Sequence, residues 1–205
     1  MMNDEQRWSH AWQQLGASPR GGLLASVQAG YAEEQRAYHT LQHLEECFAA
    51  LEPAAHLAER IAEVELALWF HDAIYETKGS GSEEQSARWA EKELLAGGAS
   101  AEVASRVAGL VLATKHDAVP EGADAQLLVD VDLSILGADP VRFDEYEQQV
   151  RREYGWVPVV LFRSNRAKLL ASLLERPSLY STSWFAERLE QRARKNLARS
   201  LAQLT

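Results

Sequence analysis

Apolar residues recur at three- and four-residue steps along most of the chain, which is the spacing of one face of an α-helix. Leu57, Ile61, Val64 and Leu68 form one such stripe, and Pro53 is suitably placed to start that helix. Further stripes lie at 103–111, 169–174 and 185–201. No segment alternates convincingly in the manner of a half-buried strand. The pattern predicts a compact all-α bundle of about seven to ten helices.

Three details extend this prediction. The segment 127–136 (LLVDVDLSIL) has some β character, but its apolar positions also make a helical face, and we interpret it as helix. Ser100 is a candidate N-cap for the helix that carries the 103–111 stripe. Trp8 and Trp12, four positions apart, suggest a short helix in an N-terminal appendage (residues 1–20) that packs on the body.

Composition limits the classes of protein to which the chain can belong. Its 205 residues, 46% of them hydrophobic and 25% charged, fit a single globular domain over 1–205. With 21 Lys+Arg against 30 Asp+Glu, the net charge of −9 argues against general nucleic-acid binding and against binding to anionic membranes.

Cysteine usage and the apolar runs bear on location. The single cysteine, Cys47, excludes an internal disulfide and a Cys-rich zinc site, and it suits a reducing compartment. The first ten residues are charged and lack the apolar run of a signal peptide. The longest strongly apolar stretch, 66–70, is too short to span a bilayer. We therefore expect a cytoplasmic protein without a membrane partner.

Histidines and aspartates interrupt segments that should belong to the core. His43 lies in a helical pattern, His71-Asp72 follows the apolar run LALWF, and Asp130 and Asp132 interrupt LLVDVDLSIL. Taken singly, each fits a hydrogen-bonded core histidine or a capping aspartate. Burying several such groups without partners is costly, and one shared metal ion is the simplest way to satisfy them together.

The order of these residues resembles that of the HD superfamily of metal-dependent phosphohydrolases, which are helical proteins. The similarity runs from about Tyr31 to Asn196 and is closest to a bacterial branch of predicted HD-superfamily hydrolases. It is carried by RAYHTLQHLEECF, ALWFHDAIYE, the SEEQSA stretch at 82–87, ATKHD, VDVDLSILG and ERLEQRARKN. The resemblance implies metal ligands at His43, His71, Asp72 and Asp132.

Two of these ligand positions have an alternative. His39 could fill the position given to His43. Cyclic-nucleotide phosphodiesterases, which are distant relatives, show a similar Tyr-His-x-x-x-His segment, and that similarity gives the metal to His43 and the role of general acid to His39. Asp130 is the alternative to Asp132; related sequences end this motif with Asp-x-Asp or Asp-Leu-Ser, and Asp132 satisfies both patterns.

Two imidazoles and two carboxylates suit a divalent transition metal such as Mn²⁺, Fe²⁺, Co²⁺, Ni²⁺ or Zn²⁺, with Mg²⁺ as a further option. Four protein ligands on an octahedral ion leave two positions for water and a substrate oxygen. The expected reaction is hydrolysis of a small phosphate ester, with nucleotides as the first class to consider. A second metal ion stays open, since Glu83, Glu84 or His116 could supply it with ligands.

Other residues are weaker candidates for roles around the metal. The resemblance suggests that Glu83 orients the attacking water, although a helix N-terminus with Ser82 as its cap explains this acidic residue as well. Lys115 and His116 are candidates for binding the substrate phosphate, although basic residues are also typical of a helix C-terminus.

The arginines of the chain could contact a substrate phosphate or lie on a solvated surface. Arg36, one turn before His39, could clamp a phosphate with two hydrogen bonds, or it could be an exposed surface charge. Arg163, Arg166 and the basic run 192–195 are more typical of a solvated helix face.

Other functions remain as alternatives to hydrolysis. The chain could be a catalytically silent module that binds metal or nucleotide, a di-iron oxygenase on the same scaffold, or a purely structural helical protein. The substrate and the oligomeric state are left open, because the loops at 75–82 and 117–124 carry no recognisable motif.

Overall fold

The computed structural model describes residues 3–204, and within that range the chain forms ten α-helices, two 3₁₀ helices and no β-strand. The prediction of an all-α fold is therefore confirmed. The chain divides into two compact units, one ending at Val129 and the other beginning at Asp130. A single domain over 1–205 stays a prediction. Met1, Met2 and Thr205 lie outside the described residues.

The first unit contains the first six helices and most of the seventh. They are α1 (Asp4–Gln14), α2 (Leu23–Tyr31), α3 (Leu41–Leu51), a 3₁₀ helix (Glu52–Leu57), α4 (Ile61–Phe70), α5 (Ser82–Ala96), α6 (Ala101–Ala113) and α7 (Ala123–Asp132), which crosses the boundary. Every residue of α4 from Ala62 to Phe70 is buried. The helix makes contacts with α1, α3, α5 and α6, so it forms the centre of this unit.

Two carboxylates of α4 are buried, and both are paired with arginines. Glu63 accepts hydrogen bonds of 2.6 and 2.8 Å from Arg106 of α6. Glu65 accepts one of 3.0 Å from Arg7 of α1, and burial raises the pKa of Glu65. These pairs let a helix that carries two acids be buried on all sides, because each charge has a partner within hydrogen-bond distance.

The N-terminal helix packs on this centre, as Trp8 and Trp12 predicted. Both indoles are buried. The ring of Trp8 lies 5.6 Å from that of Trp69 in an edge-on arrangement and 5.9 Å from that of Phe70. Asn3 begins α1 with a capping box, in which its side chain and that of Gln6 each accept the other's backbone N–H.

One predicted helix is divided in two. The stripe from Leu57 to Leu68 predicted a single helix from Pro53, but the 3₁₀ helix ends at Leu57 and α4 begins only at Ile61. Ala58 is extended, and Oδ1 of Asp124 accepts the backbone N–H groups of Glu59 and Arg60 at 2.7 and 3.2 Å. Asp124, 64 residues along the chain from Arg60, therefore holds the backbone that leads into α4, and local periodicity could not indicate this contact.

Ser100 caps α6 as predicted, since its hydroxyl accepts the backbone N–H of Val103 at 3.2 Å. Replacing Ser100 with alanine should lower the free energy of unfolding by about 1 kcal/mol, because one N–H group of the first turn loses its acceptor. Chemical denaturation measures this loss. Ser105→Ala, at an exposed position of the same helix, should change stability by less than about 0.5 kcal/mol. Equal losses in the two variants would contradict the assignment of the cap.

The second unit contains the end of α7, a 3₁₀ helix (Leu133–Gly137), α8 (Pro140–Glu153), α9 (Val159–Glu175) and α10 (Ser183–Leu204). The prediction of a helix over 127–136 is confirmed by α7 and the 3₁₀ helix. Arg163 is exposed, as expected of a solvated face. Arg166, predicted on the same face, is buried instead, because Glu147 and the hydroxyl of Tyr146 accept its hydrogen bonds at 2.5 and 2.8 Å.

None of the described helices combines the length and the apolar composition that a membrane-crossing segment needs.

Candidate metal centre

The His-Asp pair lies at the end of the most buried helix of the first unit. His71 and Asp72 follow Phe70 directly, and with Ala73 they form the segment that we call the HD turn. The His71 side chain is only 1% exposed. The apolar run that predicted a core helix therefore carries an imidazole and a carboxylate into the interior of this unit.

Hydrogen bonding fixes the tautomer of His71. Its Nδ1 lies 2.7 Å from the carbonyl oxygen of Leu68, and a carbonyl can only accept a hydrogen bond. Nδ1 therefore carries the proton, and a neutral His71 presents an unprotonated Nε2. This is the arrangement by which proteins usually orient a histidine that ligates metal.

Helix α3 brings His43 to the same place. His43 Nε2 lies 3.2 Å from His71 Nε2 and 3.5 Å from Asp72 Oδ2. The distance between His71 Nε2 and Asp72 Oδ2 is 2.9 Å. Nitrogen and oxygen ligands about 2.1 Å from one ion are separated by about 3.0–3.5 Å, depending on the coordination number. The three atoms therefore have nearly the spacing of ligands around one metal ion, and the structure brings together the three predicted ligands of the first unit.

The charge of Asp72 suits a cation. Burial by itself would raise the pKa of this carboxyl group, but the neighbouring imidazoles of His71, His39 and His43 hold the pKa of Asp72 well below its usual range. Asp72 is therefore ionised near neutral pH. Two histidines beside a buried carboxylate give a mixed N/O site, the donor set predicted from the sequence.

Tyr31 and Arg36 hold the HD turn in place. The hydroxyl of Tyr31 accepts the backbone N–H of Asp72 at 3.2 Å and donates towards the carbonyl of Trp69, also at 3.2 Å. Burial raises the pKa of Tyr31 well above its usual value, so the phenol stays protonated. Arg36 donates to the carbonyls of Asp72 and Ala73 at 2.5 and 3.1 Å.

These contacts alter the picture of Arg36 that the sequence suggested. Its side chain is 1% exposed, so it is not an exposed surface charge, and it also donates to Glu33 and to the carbonyl of His39. The structure gives it a positioning role, and a contact with substrate phosphate stays a prediction. Sequence reasoning did not find the role of Tyr31, because nothing in its local pattern points to the HD turn.

His39 lies just before α3, beside the three ligand candidates. Its ring stacks on Tyr75 with the centroids 3.9 Å apart, and it meets Tyr38 edge-on at 4.8 Å. The centroids of His39 and His43 are 5.9 Å apart. The two aromatic contacts orient the imidazole of His39 beside that of His43.

Among the candidates on α5 and just after α6, Glu84 and Lys115 are paired with each other. Glu84 accepts a 2.6 Å hydrogen bond from Lys115, which lowers the pKa of Glu84 and raises that of Lys115. Glu83 lies half-buried in the first turn of α5, and His116 adopts a left-handed backbone with φ of 58° just after α6. The predicted roles of Glu83, Lys115 and His116 stay predictions.

One local prediction in this region is wrong. Ser82 does not cap α5, because the N-cap residue is Gly81. The hydroxyl of Ser82 instead accepts the backbone N–H of Glu76 at 3.0 Å and so closes the preceding loop. Gly81 has a φ of 83°, a left-handed conformation that suits glycine best.

The two aspartates of LLVDVDLSIL differ in their surroundings. Asp130 is buried and accepts the backbone N–H groups of Ser181 and Thr182, both at 2.7 Å, and the Thr182 hydroxyl at 2.6 Å. Its carboxylate is thus committed to the segment that leads into α10. Asp132 is the half-buried last residue of α7, and its role as a ligand stays a prediction.

Cys47 belongs to the surroundings of His43, although the sequence analysis did not consider it as a ligand. Its Sγ lies 3.7 Å from both ring nitrogens of His43, and the residue is 1% exposed. The ligand atoms of His43, Cys47 and His71 all lie within 4.8 Å of one another. The spacing of four positions between His43 and Cys47 on a predicted helix was the signal that could have found this residue.

Comparison of the chain with protein-family models, with curated proteins and with solved structures found no match in any of the three. The resemblance to the HD superfamily therefore depends on the motifs of this chain alone.

Proposed function

We propose that this protein is a metal-dependent phosphohydrolase of the HD type that acts on a small phosphate ester, with nucleotides as the first class of substrate. The observation that supports this most is the convergence of His43 Nε2, His71 Nε2 and Asp72 Oδ2 within 3.5 Å of one another. The three groups are buried, and the Nδ1 proton of His71 is directed away from them, to Leu68. Burying two imidazoles and a carboxylate this close together costs free energy unless their charges and lone pairs have partners, and a bound cation would provide one.

His43, His71 and Asp72 would hold one divalent transition metal, and the resemblance adds Asp132 as a fourth ligand. When bound, such an ion acts as a Lewis acid that makes water more acidic and neutralises charge on phosphoryl oxygens. Tyr31 and Arg36 fix the backbone of the HD turn, so that His71 and Asp72 keep their positions as the charge in the site changes.

The proton for the leaving oxygen comes from His39 in this proposal. Its ring is held by Tyr75 and Tyr38, and its centroid lies 5.9 Å from that of the ligand candidate His43. In its protonated form this imidazole would give a proton to the ester oxygen as the P–O bond breaks. Glu83 would orient the attacking water, and Lys115 and His116 would bind phosphate oxygens.

Activity on a panel of phosphate compounds tests the proposal. Metal-free protein is supplied with Mn²⁺, Co²⁺, Ni²⁺, Zn²⁺ or Mg²⁺ and with nucleotides and simple phosphate esters, and released phosphate and pyrophosphate are measured. We expect release that requires a metal and that stops on chelation. Bound metal without any release would instead support a silent regulatory module, and two iron ions per chain would support a di-iron oxygenase.

A substitution at His39 separates proton transfer from metal binding. His39→Gln should lower the rate of product release by about 10²–10⁴-fold, because the leaving oxygen loses its proton donor. Metal content should stay at the wild-type level, since His39 is not among the proposed ligands. An unchanged rate, or a rate that falls only because metal is lost, would contradict the assigned role of His39.

The two neighbouring aspartates provide a matched comparison. Asp130→Asn should lower the free energy of unfolding by about 1–3 kcal/mol, because an amide cannot accept all three hydrogen bonds of this carboxylate. Asp132→Asn should instead weaken metal binding, with a smaller effect on stability. Thermal unfolding and metal titration of both variants distinguish the roles, and the reverse pattern would make Asp130 the ligand.

A further inference from the structure

Cys47 lies where a metal ligand is expected. Helix α3 places it one turn after His43 on the same buried face, and both side chains are almost fully enclosed. Its Sγ is 3.7 Å from His43 Nε2, while His43 Nε2 is 3.2 Å from His71 Nε2. In a tetrahedral zinc site, a nitrogen and a sulfur ligand are about 3.5 Å apart and two nitrogens about 3.3 Å. The observed spacings are within a few tenths of an ångström of these values.

We infer that Cys47 binds the metal through its sulfur, which makes the centre a thiolate–histidine–carboxylate site. The inference rests on the metal site of the proposed function and goes beyond it, because the sequence analysis assigned only nitrogen and oxygen ligands. The His43, His71 and Asp72 group is the independent indication of a cation at this place. The thiol proton passes to solvent when the metal–sulfur bond forms.

A sulfur ligand changes which metals the protein selects. Thiolate is a soft donor that favours Zn²⁺, Co²⁺ and Fe²⁺, whereas Mg²⁺ and Mn²⁺ prefer oxygen ligands. Cys47→Ser replaces the sulfur with a harder and smaller atom. We expect this variant to bind Zn²⁺ roughly 10–100-fold more weakly than the wild type, a loss typical of perturbed metal sites. Binding of Mn²⁺ should change by less than about threefold.

Spectroscopy of the Co²⁺-loaded protein tests the inference without relying on activity. A cobalt–thiolate bond gives a charge-transfer band in the near ultraviolet, and only Cys47 can produce it, because the chain contains one cysteine. We expect the band in the wild type and its loss in Cys47→Ser and Cys47→Ala. Circular dichroism confirms that the variants are folded, and calorimetry in buffers of different ionisation enthalpy should show about one proton fewer released per ion in Cys47→Ser.

The outcomes separate this inference from the proposed function. Co²⁺ bound through His43 and His71 without a thiolate band, with equal Zn²⁺ affinity in wild type and Cys47→Ser, would overturn the role of Cys47 and leave the hydrolase proposal standing. Failure of the wild type to bind any Co²⁺ or Zn²⁺ would overturn both. Persistence of the near-ultraviolet band in folded Cys47→Ala would also overturn the assignment.

Discussion

Replacing His71 with alanine should abolish both metal binding and phosphate release. His71 Nε2 lies 3.2 Å from His43 Nε2 and 2.9 Å from Asp72 Oδ2. Without it the site loses one of its two imidazole ligands, and we expect metal affinity to fall at least about 100-fold. The rate of release should fall to the level of the metal-free protein.

Metal content after dialysis and product release under saturating substrate measure these losses. His56→Ala is the matched control, since it removes an exposed imidazole from the same unit and should leave both quantities unchanged. Thermal unfolding of the two variants without metal shows whether His71→Ala still folds. Full activity in a folded His71→Ala variant would mean that the reaction takes place somewhere else.

The second large effect is expected at Gly30, which lets α2 approach the HD turn. A Cβ atom at this position would lie 2.3 Å from the backbone oxygen of Ala73, a distance that real Cβ contacts do not reach. Ala73 is also the residue whose carbonyl Arg36 holds. Gly30→Ala should therefore lower the free energy of unfolding by about 1–3 kcal/mol and weaken metal binding, because the turn must move.

Gly109→Ala separates this clash from the general effect of adding a methyl group to a helix. Gly109 lies within α6, and a Cβ added there would meet no heavy atom of the described residues within 4 Å beyond its chain neighbours and the nearby backbone of its own helix. This substitution should stabilise the protein by about 0.5–1 kcal/mol, since alanine has the higher helix propensity. Denaturant titration of both variants measures the difference, and a stabilising Gly30→Ala would contradict the close approach of α2 to the turn.

Much of the fold could be predicted because helices bury their apolar stripes, and the stripes are visible in the sequence. The same logic found His71 and Asp72, since polar groups at the end of an all-apolar helix need a partner in the core. Contacts between distant parts of the chain could not be predicted in this way. Asp124 holds the backbone before α4, and Glu147 holds the buried Arg166, through hydrogen bonds across 64 and 19 positions respectively.

At the candidate site, too, the contacts that the sequence could not predict join distant parts of the chain. The sequence indicated His43 and His71 as ligands, but the supporting contacts of Tyr31 and Arg36 depend on backbone atoms that carry no signature in the sequence. Cys47 was considered only for the disulfides and zinc sites that it excludes, although its helical spacing from His43 was visible. Positioning residues such as Tyr31 and Arg36 are therefore recognised only once the three-dimensional structure is known.

The central claim is that a divalent ion binds between His43 and His71. An anomalous-difference map, recorded at the absorption edge of zinc or cobalt from crystals grown with that metal, tests it most directly. We predict one strong peak in the first unit at about 2.0–2.1 Å from Nε2 of both histidines. A map from metal-soaked crystals without density between these two atoms, or with its peak elsewhere, would contradict the account.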